Sequence, residues 1–343
     1  MHSRSGTGLM SSASKIIQAA AGAGGGTTGS YIAVGHSNSP YFTLLDHTTP
    51  GSVSLATTYT LPNFGQETAF SPDGNYIAVG HSSSPSFTLL DHTTPGSVSL
   101  AATYQLPGTG RGTAFSPDGN YIAVGHSTTP HFTLLDHTTP GSVSLAATYQ
   151  LPNQGNATAF SPDGNYITAG HFNAPYFTLL DHTTPGSVSL AATYTLAGTG
   201  RGTAFSPDGD YIAVAHSSGV EFTLLDHTTP GSVSLAATYQ LPSQGLGTAF
   251  SPDGNYIAVA HAGPPSFTLL DHTTPGSVSL AATYTLPGNC QETAFSPDGN
   301  YIAVIYGGSP FFNLLDHTTP GSVSLAATYT LPNAGTGIAF SPN

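Results

Sequence analysis

The sequence predicts an all-β fold, a seven-bladed β-propeller of four-stranded blades, and three observations carry that prediction. The string Leu-Leu-Asp-His-Thr-Thr-Pro-Gly-Ser-Val-Ser-Leu-Ala occurs seven times, the first copy starting at Leu44 and the last at Leu314, always 45 residues apart. A fixed period of this size marks a repeat architecture. Each copy divides into four short extended segments, and four strands per repeat of about 40–50 residues, arranged radially, is the propeller pattern. Residues 29–343 number 315, which is seven times 45, and the two chain ends are halves of one repeat. Ser341-Pro342-Asn343 stops where Gly29-Ser30-Tyr31 resumes, so the ring is expected to close through its own termini.

Within the copy at residues 68–112, Thr68-Ala69-Phe70 leads into Ser71-Pro72-Asp73-Gly74, a turn with proline at its second and glycine at its fourth position. Tyr76 to Val79 follows, apolar and partly β-branched, then a Ser/Pro loop from Ser82 to Ser86. Phe87 to Leu90 gives a third strand, the stretch from Asp91 to Gly96 a turn, and Ser97 to Leu106 a fourth strand. Alternation in the fourth strand predicts Val98, Leu100, Ala102 and Tyr104 on one side. No segment has helical periodicity long enough to compete.

The stretch from Ala69 to Ala78 resembles the first two strands of a WD-repeat or YVTN-type propeller blade, and Phe87 to Asp91 resembles the third. Asp91 matches the aspartate that ends the third strand in WD repeats, whereas Leu90 stands in place of tryptophan and Gly80-His81 follows the second strand instead of preceding the first. The resemblance spans residues 29–343. It implies that Thr68–Phe70 is innermost and Ser97–Leu106 outermost, with Gly337 to Phe340 supplying the innermost strand of the first blade. Some YVTN-like relatives are lactonases or lyases, so it also implies an enzyme as one alternative function. Residues 1–28 stand outside the repeat as an N-terminal extension, in which Ser14 to Gly22 resembles the leader of some phage structural proteins. Ile16 and Ile17 are its candidate assembly residues.

Composition narrows the partners. Only Arg4, Lys15, Arg111 and Arg201 are basic, against 17 acidic residues, for a formal charge of −13. Nucleic-acid binding needs lysine and arginine to neutralise phosphates, and anionic membrane surfaces need the same. No run of about 20 apolar residues is present to span a bilayer. Cys290 is the single cysteine, which excludes an intrachain disulfide. Fifteen histidines, with an ordinary pKa of about 6.5, are expected to offset the negative charge in mild acid. Solubility is therefore expected to fall toward the isoelectric point of 5.4, which turbidity measured from pH 7 to 5 checks.

Because strands alternate in direction, the first and third turns share one face, and they are nearly invariant among the copies. The second and fourth loops share the other face and vary. Loops on a rigid scaffold are the usual seat of recognition. The candidate binding residues on this variable face are Tyr41, His131, Phe172, Tyr176, Glu221 and Phe311 from the second loops. From the fourth loops come Phe64, Glu67, Arg111, Asn156, Arg201, Gln244 and Glu292. Aromatic rings beside Asn, Gln and Glu suit sugars or peptides.

Asp-His recurs in every third turn, as at Asp91-His92, and a second histidine closes the second strand in six copies. Seven equivalent sites spread around a ring cannot converge on one metal at about 2 Å. A turn-capping role for the aspartates fits better, and neither metal nor cofactor is expected. Asn156-Ala157-Thr158 is a glycosylation acceptor sequence. Since the copies offer no visibly unequal set of acid and base residues, the sequence reads as a non-enzymatic structural or adhesive propeller. Such a protein would be a subunit of an extracellular fibre or virion surface, assembling with copies of itself head-to-tail through the N-terminal segment. A glycan- or peptide-binding propeller is the first alternative and a lactonase- or lyase-like enzyme the second.

Overall fold

The computed structural model describes residues 31–219 and 221–342. Among them are seven antiparallel four-stranded sheets. Blade two runs outward through Gly65–Phe70, Tyr76–His81, Ser86–Asp91 and Ser99–Gln105. The pattern repeats to blade seven, which ends with Cys290–Phe295, Tyr301–Tyr306, Phe311–Asp316 and Ser324–Thr330. Blade one is assembled from both chain ends, its innermost strand being Gly335–Phe340 and its second strand Tyr31–His36. Ala339 lies opposite Ala33, and Tyr31 N donates to Ser341 Oγ at 2.8 Å while Ser341 N donates to Tyr31 O at 2.8 Å. Ring closure through the termini is thus a six-residue strand pairing. The extension at residues 1–28, with Ile16 and Ile17, lies outside the described residues. No helix among the described residues is long and apolar enough to cross a membrane.

Local chemistry explains the turns. Asp73 Oδ1 accepts from Ser71 Oγ at 2.6 Å, and Ser71 Oγ accepts from Tyr76 N at 2.9 Å, while Gly74 takes φ of 72°. In the third turn Asp91 Oδ1 accepts from Thr93 N at 2.8 Å, the capping role expected of the Asp-His aspartates. The adjoining histidine does something further. His92 Nδ1 bonds Gly74 O at 2.8 Å, and its ring stands edge-on to Phe70 of its own blade and to Tyr31 of the preceding one. Each Asp-His pair therefore caps a turn and joins neighbouring blades.

The core is a set of seven layers between blades. Ala78, Phe87 and Leu89 of blade two pack on Ile122, Val124 and Leu135 of blade three, all fully buried. The outermost strand departs from simple alternation. Leu89 pairs with Ala102 but Leu90 pairs with Leu100, a bulge that skips Ala101 and reverses the phase beyond it. Leu100 therefore points to solvent, 54% exposed, and its six counterparts do likewise.

The second-strand histidines are buried and structural. His81 Nε2 bonds Thr88 Oγ1 at 2.9 Å, and five other blades repeat the pair at 3.0 Å. In blade seven both partners change, and Tyr306 Oη donates to Asn313 Oδ1 at 2.9 Å. Burial pushes His36, His81, His126 and His171 down to about 4 and lowers His216 and His261. The expectation that all fifteen histidines gain charge in mild acid is corrected accordingly: these six stay neutral.

Two outcomes follow. A histidine held neutral in the folded chain but protonated near pH 6.5 when unfolded contributes stability above pH 6.5 that is lost as pH falls toward 4. Chemical denaturation at successive pH values should show unfolding linked to uptake of up to six protons across that window, and a flat profile would contradict the assignment. Asn313→Thr should cost about 1–3 kcal/mol by stranding the Tyr306 hydroxyl, and adding Tyr306→His should restore most of that loss.

Candidate active site

The innermost strands surround an axial channel and begin earlier than their glycine-rich sequence suggests. Gly65 pairs with His81 and Glu67 with Gly80 through a bulge, so Gln66 and Glu67 belong to a channel wall and not to a loop. The same holds for Arg111, Asn156, Arg201, Gln291 and Glu292 on their own innermost strands. The channel opens on the variable face into a cavity of 130 Å³ bordered by Gln66, Glu67, Arg111, Asn156, Arg201, Leu246, Gln291, Glu292 and Thr336. Glu67 and Glu292 also border the next section inward, a throat of 150 Å³ walled by Thr113, Thr158, Thr203, Thr248 and Thr293. The far mouth, on the invariant face, is a wider hollow of 420 Å³ lined by phenylalanine and proline.

Crowding at the channel decides which residues can stand there. The third residue of each innermost strand is Glu67, Gly112, Ala157, Gly202, Gly247, Glu292 or Gly337. A β-carbon on Gly337 would lie 2.5 Å from Glu67 Cα, and one on Gly247 would lie 2.1 Å from Glu292 Oε1. The two carboxylates thus occupy room that glycines on the neighbouring strands leave open. Both are half-buried and border the throat and the opening of the narrow channel.

Their electrostatics follow from that setting. Burial, then the nearby Glu292 charge, raises the Glu67 carboxyl well above its ordinary range, against a hydrogen bond from Thr68 N. Burial raises Glu292 as well, although Thr293 N donates to its Oε1 at 3.1 Å. Both carboxyls are thus raised above their ordinary range, and the Glu292 charge is felt at Glu67. Arg111 on blade three and Arg201 on blade five border the same opening. The Nε atoms of both are buried without a hydrogen-bond partner, and burial together with the Arg201 charge lowers Arg111. Arg111 lies 5.9 Å from the ring centre of Phe172, which screens it on the outer side.

Of the residues anticipated on the variable face, the fold gathers Glu67, Arg111, Asn156, Arg201 and Glu292 around one opening, with Phe172 over Arg111. Asn156 Nδ2 donates to Gly200 O at 3.1 Å, which ties this asparagine to the channel wall. The others stay on the rim. Tyr41 and Phe64 stack edge to face at 5.8 Å. Tyr41, His131, Tyr176, Glu221 and Phe311 each open a third strand at positive φ. Glu221 accepts from Gln240, while Gln244 O accepts from Ala262 N at 3.0 Å. Gln66 stands beside Glu67 at the opening; Gln291, Leu246 and Thr336 complete it although they are absent from the candidate set. Superposing the seven copies at the third inner-strand position exposes the signal, two glutamates among glycine and alanine. Among the described residues no cluster of three His, Cys, Asp or Glu side chains is placed to hold a metal.

No protein-family model and no curated protein sequence matches the chain. Solved structures do. A proposed 6-phosphogluconolactonase from Bacteroides uniformis superposes with a TM-score of 0.81 at 14% identity, covering 92% of this chain and all of that one. The periplasmic gluconolactonase PpgL of Pseudomonas aeruginosa gives 0.77 at 17% identity over 92% of this chain and 99% of its own. A second proposed 6-phosphogluconolactonase, from Bacteroides fragilis, gives 0.79 at 12%. At such identities the likeness establishes the seven-bladed fold. The expectation of a non-enzymatic structural or adhesive subunit of a fibre or virion is corrected here. It rested on an apparent lack of unequal acid and base residues, and the channel holds such a set, in a fold shared with proteins described as lactonases.

The carboxyl pair can be checked without a substrate. Glu292→Gln removes the like charge that helps raise Glu67, so the Glu67 titration, followed by carbon-13 NMR of its carboxyl, should move toward lower pH. An unmoved titration would show that the two groups do not share a field.

Proposed function

We propose that the protein is a hydrolase of lactones of the aldonic-acid class, acting at the variable-face opening of its channel. The observation that carries this reading is that two carboxyls raised by burial, Glu67 and Glu292, border the same opening as two arginines whose Nε atoms are buried without a hydrogen-bond partner, Arg111 and Arg201. The names of the structural neighbours support it. Ring opening needs a water activated for attack at the carbonyl carbon and a proton delivered to the departing ring oxygen. The ionised member of the Glu67–Glu292 pair accepts the proton of the attacking water, and the protonated member donates to the leaving alkoxide. The guanidinium groups of Arg111 and Arg201 take up negative charge, either at the carbonyl oxygen in the transition state or on a phosphate or carboxylate carried by the substrate. Gln66, Asn156 and Gln291 offer amide groups to sugar hydroxyls along the same wall.

The carboxyl pair has to be singly protonated to work. Both groups are raised, so this state is populated around neutral pH, and activity should fall toward acid, where both are protonated, and toward alkali, where neither is. The deciding experiment is a pH-stat assay of proton release from gluconolactone and 6-phosphogluconolactone above their spontaneous hydrolysis. Glu67→Gln and Glu292→Gln should each lower kcat by about 10²–10⁴-fold. Arg111→Ala and Arg201→Ala should chiefly raise KM, more for the phosphorylated lactone. Rates no faster than spontaneous hydrolysis for either lactone would reject the reading.

A further inference from the structure

The throat of the channel is walled by hydroxyls, and two of them are unpaired. The fourth residue of each innermost strand is Thr68, Thr113, Thr158, Thr203, Thr248, Thr293 or, in blade one, Ile338. Protein groups engage four of the six hydroxyls. Thr68, Thr158 and Thr248 donate to Ala33 O, Ala123 O and Ala258 O at 3.3, 3.4 and 3.1 Å, and Thr203 Oγ1 pairs with Thr168 Oγ1 at 2.9 Å. Thr113 and Thr293 are different. They are 5% and 3% exposed, line the same throat as Glu67 and Glu292, and find no hydrogen-bond partner among the described residues.

A buried hydroxyl left unpaired is unfavourable, and where the wall is polar and roomy its partner is water. The throat meets both conditions. Its 150 Å³ has room for several waters, and two carboxyls and five hydroxyls line it. Thr293 is already tied to the carboxyl pair, since its N–H donates to Glu292 Oε1 at 3.1 Å. The groups that suit a sugar substrate stand elsewhere: Arg111, Arg201, Gln66, Asn156 and Gln291 border the outer opening and not the throat.

We infer that Thr113 and Thr293 are positioning residues that hold the hydrolytic water in the throat, on the inner side of the bound substrate; the hydrolysis itself rests on the lactone-hydrolase reading above. The oxygen of the held water bonds to the carbonyl carbon, and its proton passes to the ionised carboxyl. The bond from that carbon to the ring oxygen breaks as the protonated carboxyl gives its proton to the ring oxygen. Each turnover consumes one water while the substrate occupies the variable-face opening. Replacement water enters from the other end, because the 420 Å³ hollow on the invariant face shares Thr203 and Thr248 with the throat.

Two measurements on the full chain test this. Thr113→Val combined with Thr293→Val keeps the side-chain shape and removes both hydroxyls. Oxygen-17 magnetic relaxation dispersion counts long-lived internal waters with no substrate present. The double valine variant should lose at least one of them, and Thr113→Ser with Thr293→Ser should keep the wild-type count. In the lactone assay the valine variant should lose about tenfold in kcat with KM little changed, and the serine variant should recover it. An unchanged water count overturns the inference whatever the activity, and so do waters lost with kcat unmoved. If the wild type hydrolyses neither lactone, the functional reading fails and takes the positioning role with it, whereas the water count still decides whether these hydroxyls hold water. Circular dichroism confirms that each variant is folded, and the two single valine variants carry the same comparison if the double one is not.

Discussion

The structure depends on how closely the seven innermost strands approach one another around the axis. At their third position the neighbouring backbones leave almost no room for a β-carbon, which is why glycine or alanine fills five of the seven places. That crowding fixes the channel radius, and with it the tilt at which the blades pack through their Phe, Leu, Ile and Val layers. It also makes the two exceptions chemically special. A carboxylate admitted to so narrow a passage is stripped of most of its water, and a second one close by cannot ionise independently. The site is a product of packing before it is a product of side-chain choice.

Symmetry and its breaking divide the labour. Residues that repeat seven times, the aspartate-capped turns and the interblade histidines, hold blades to themselves and to each other. Residues that occur once or twice gather at the variable-face end of the channel. Blade seven shows that even structural pairs change together, since Tyr306 and Asn313 replace a histidine and a threonine that bond in each of the other six blades. Thr168 is a similar case, its hydroxyl reaching Thr203 of the next blade at 2.9 Å. These two departures from the repeat, at Asn313 and Thr168, are thus partnered in the fold.

The period, the four strands and the split first blade were legible because turn chemistry and exact spacing are properties of the chain itself. The phase of the outermost strand was not, because the bulge opposite Ala101 is a property of two paired strands. The start of the innermost strands was hidden for a related reason. Gly110-Arg111-Gly112 reads as a loop when each glycine is taken as freedom, whereas in the channel the glycines answer a shortage of space. Once those residues move from loop to strand, Glu67, Arg111, Arg201 and Glu292 pass from a variable rim to a common opening. Tyr41, His131, Tyr176 and Phe311 remain where the alternation of strands placed them, on the rim.

The split blade has a consequence for biogenesis. A chain leaving the ribosome makes the second, third and outermost strands of blade one first and the strand that completes that blade last, with 334 residues of this sequence ahead of it. Throughout that interval Tyr31–His36 presents an open sheet edge, and the growing arc of blades ends in another. An edge left open for so long can pair with another chain, so fidelity rests on the closing strand arriving before a neighbour does. The six residues Gly335–Phe340 therefore act in time as well as in space, as the step that turns a row of blades into a ring.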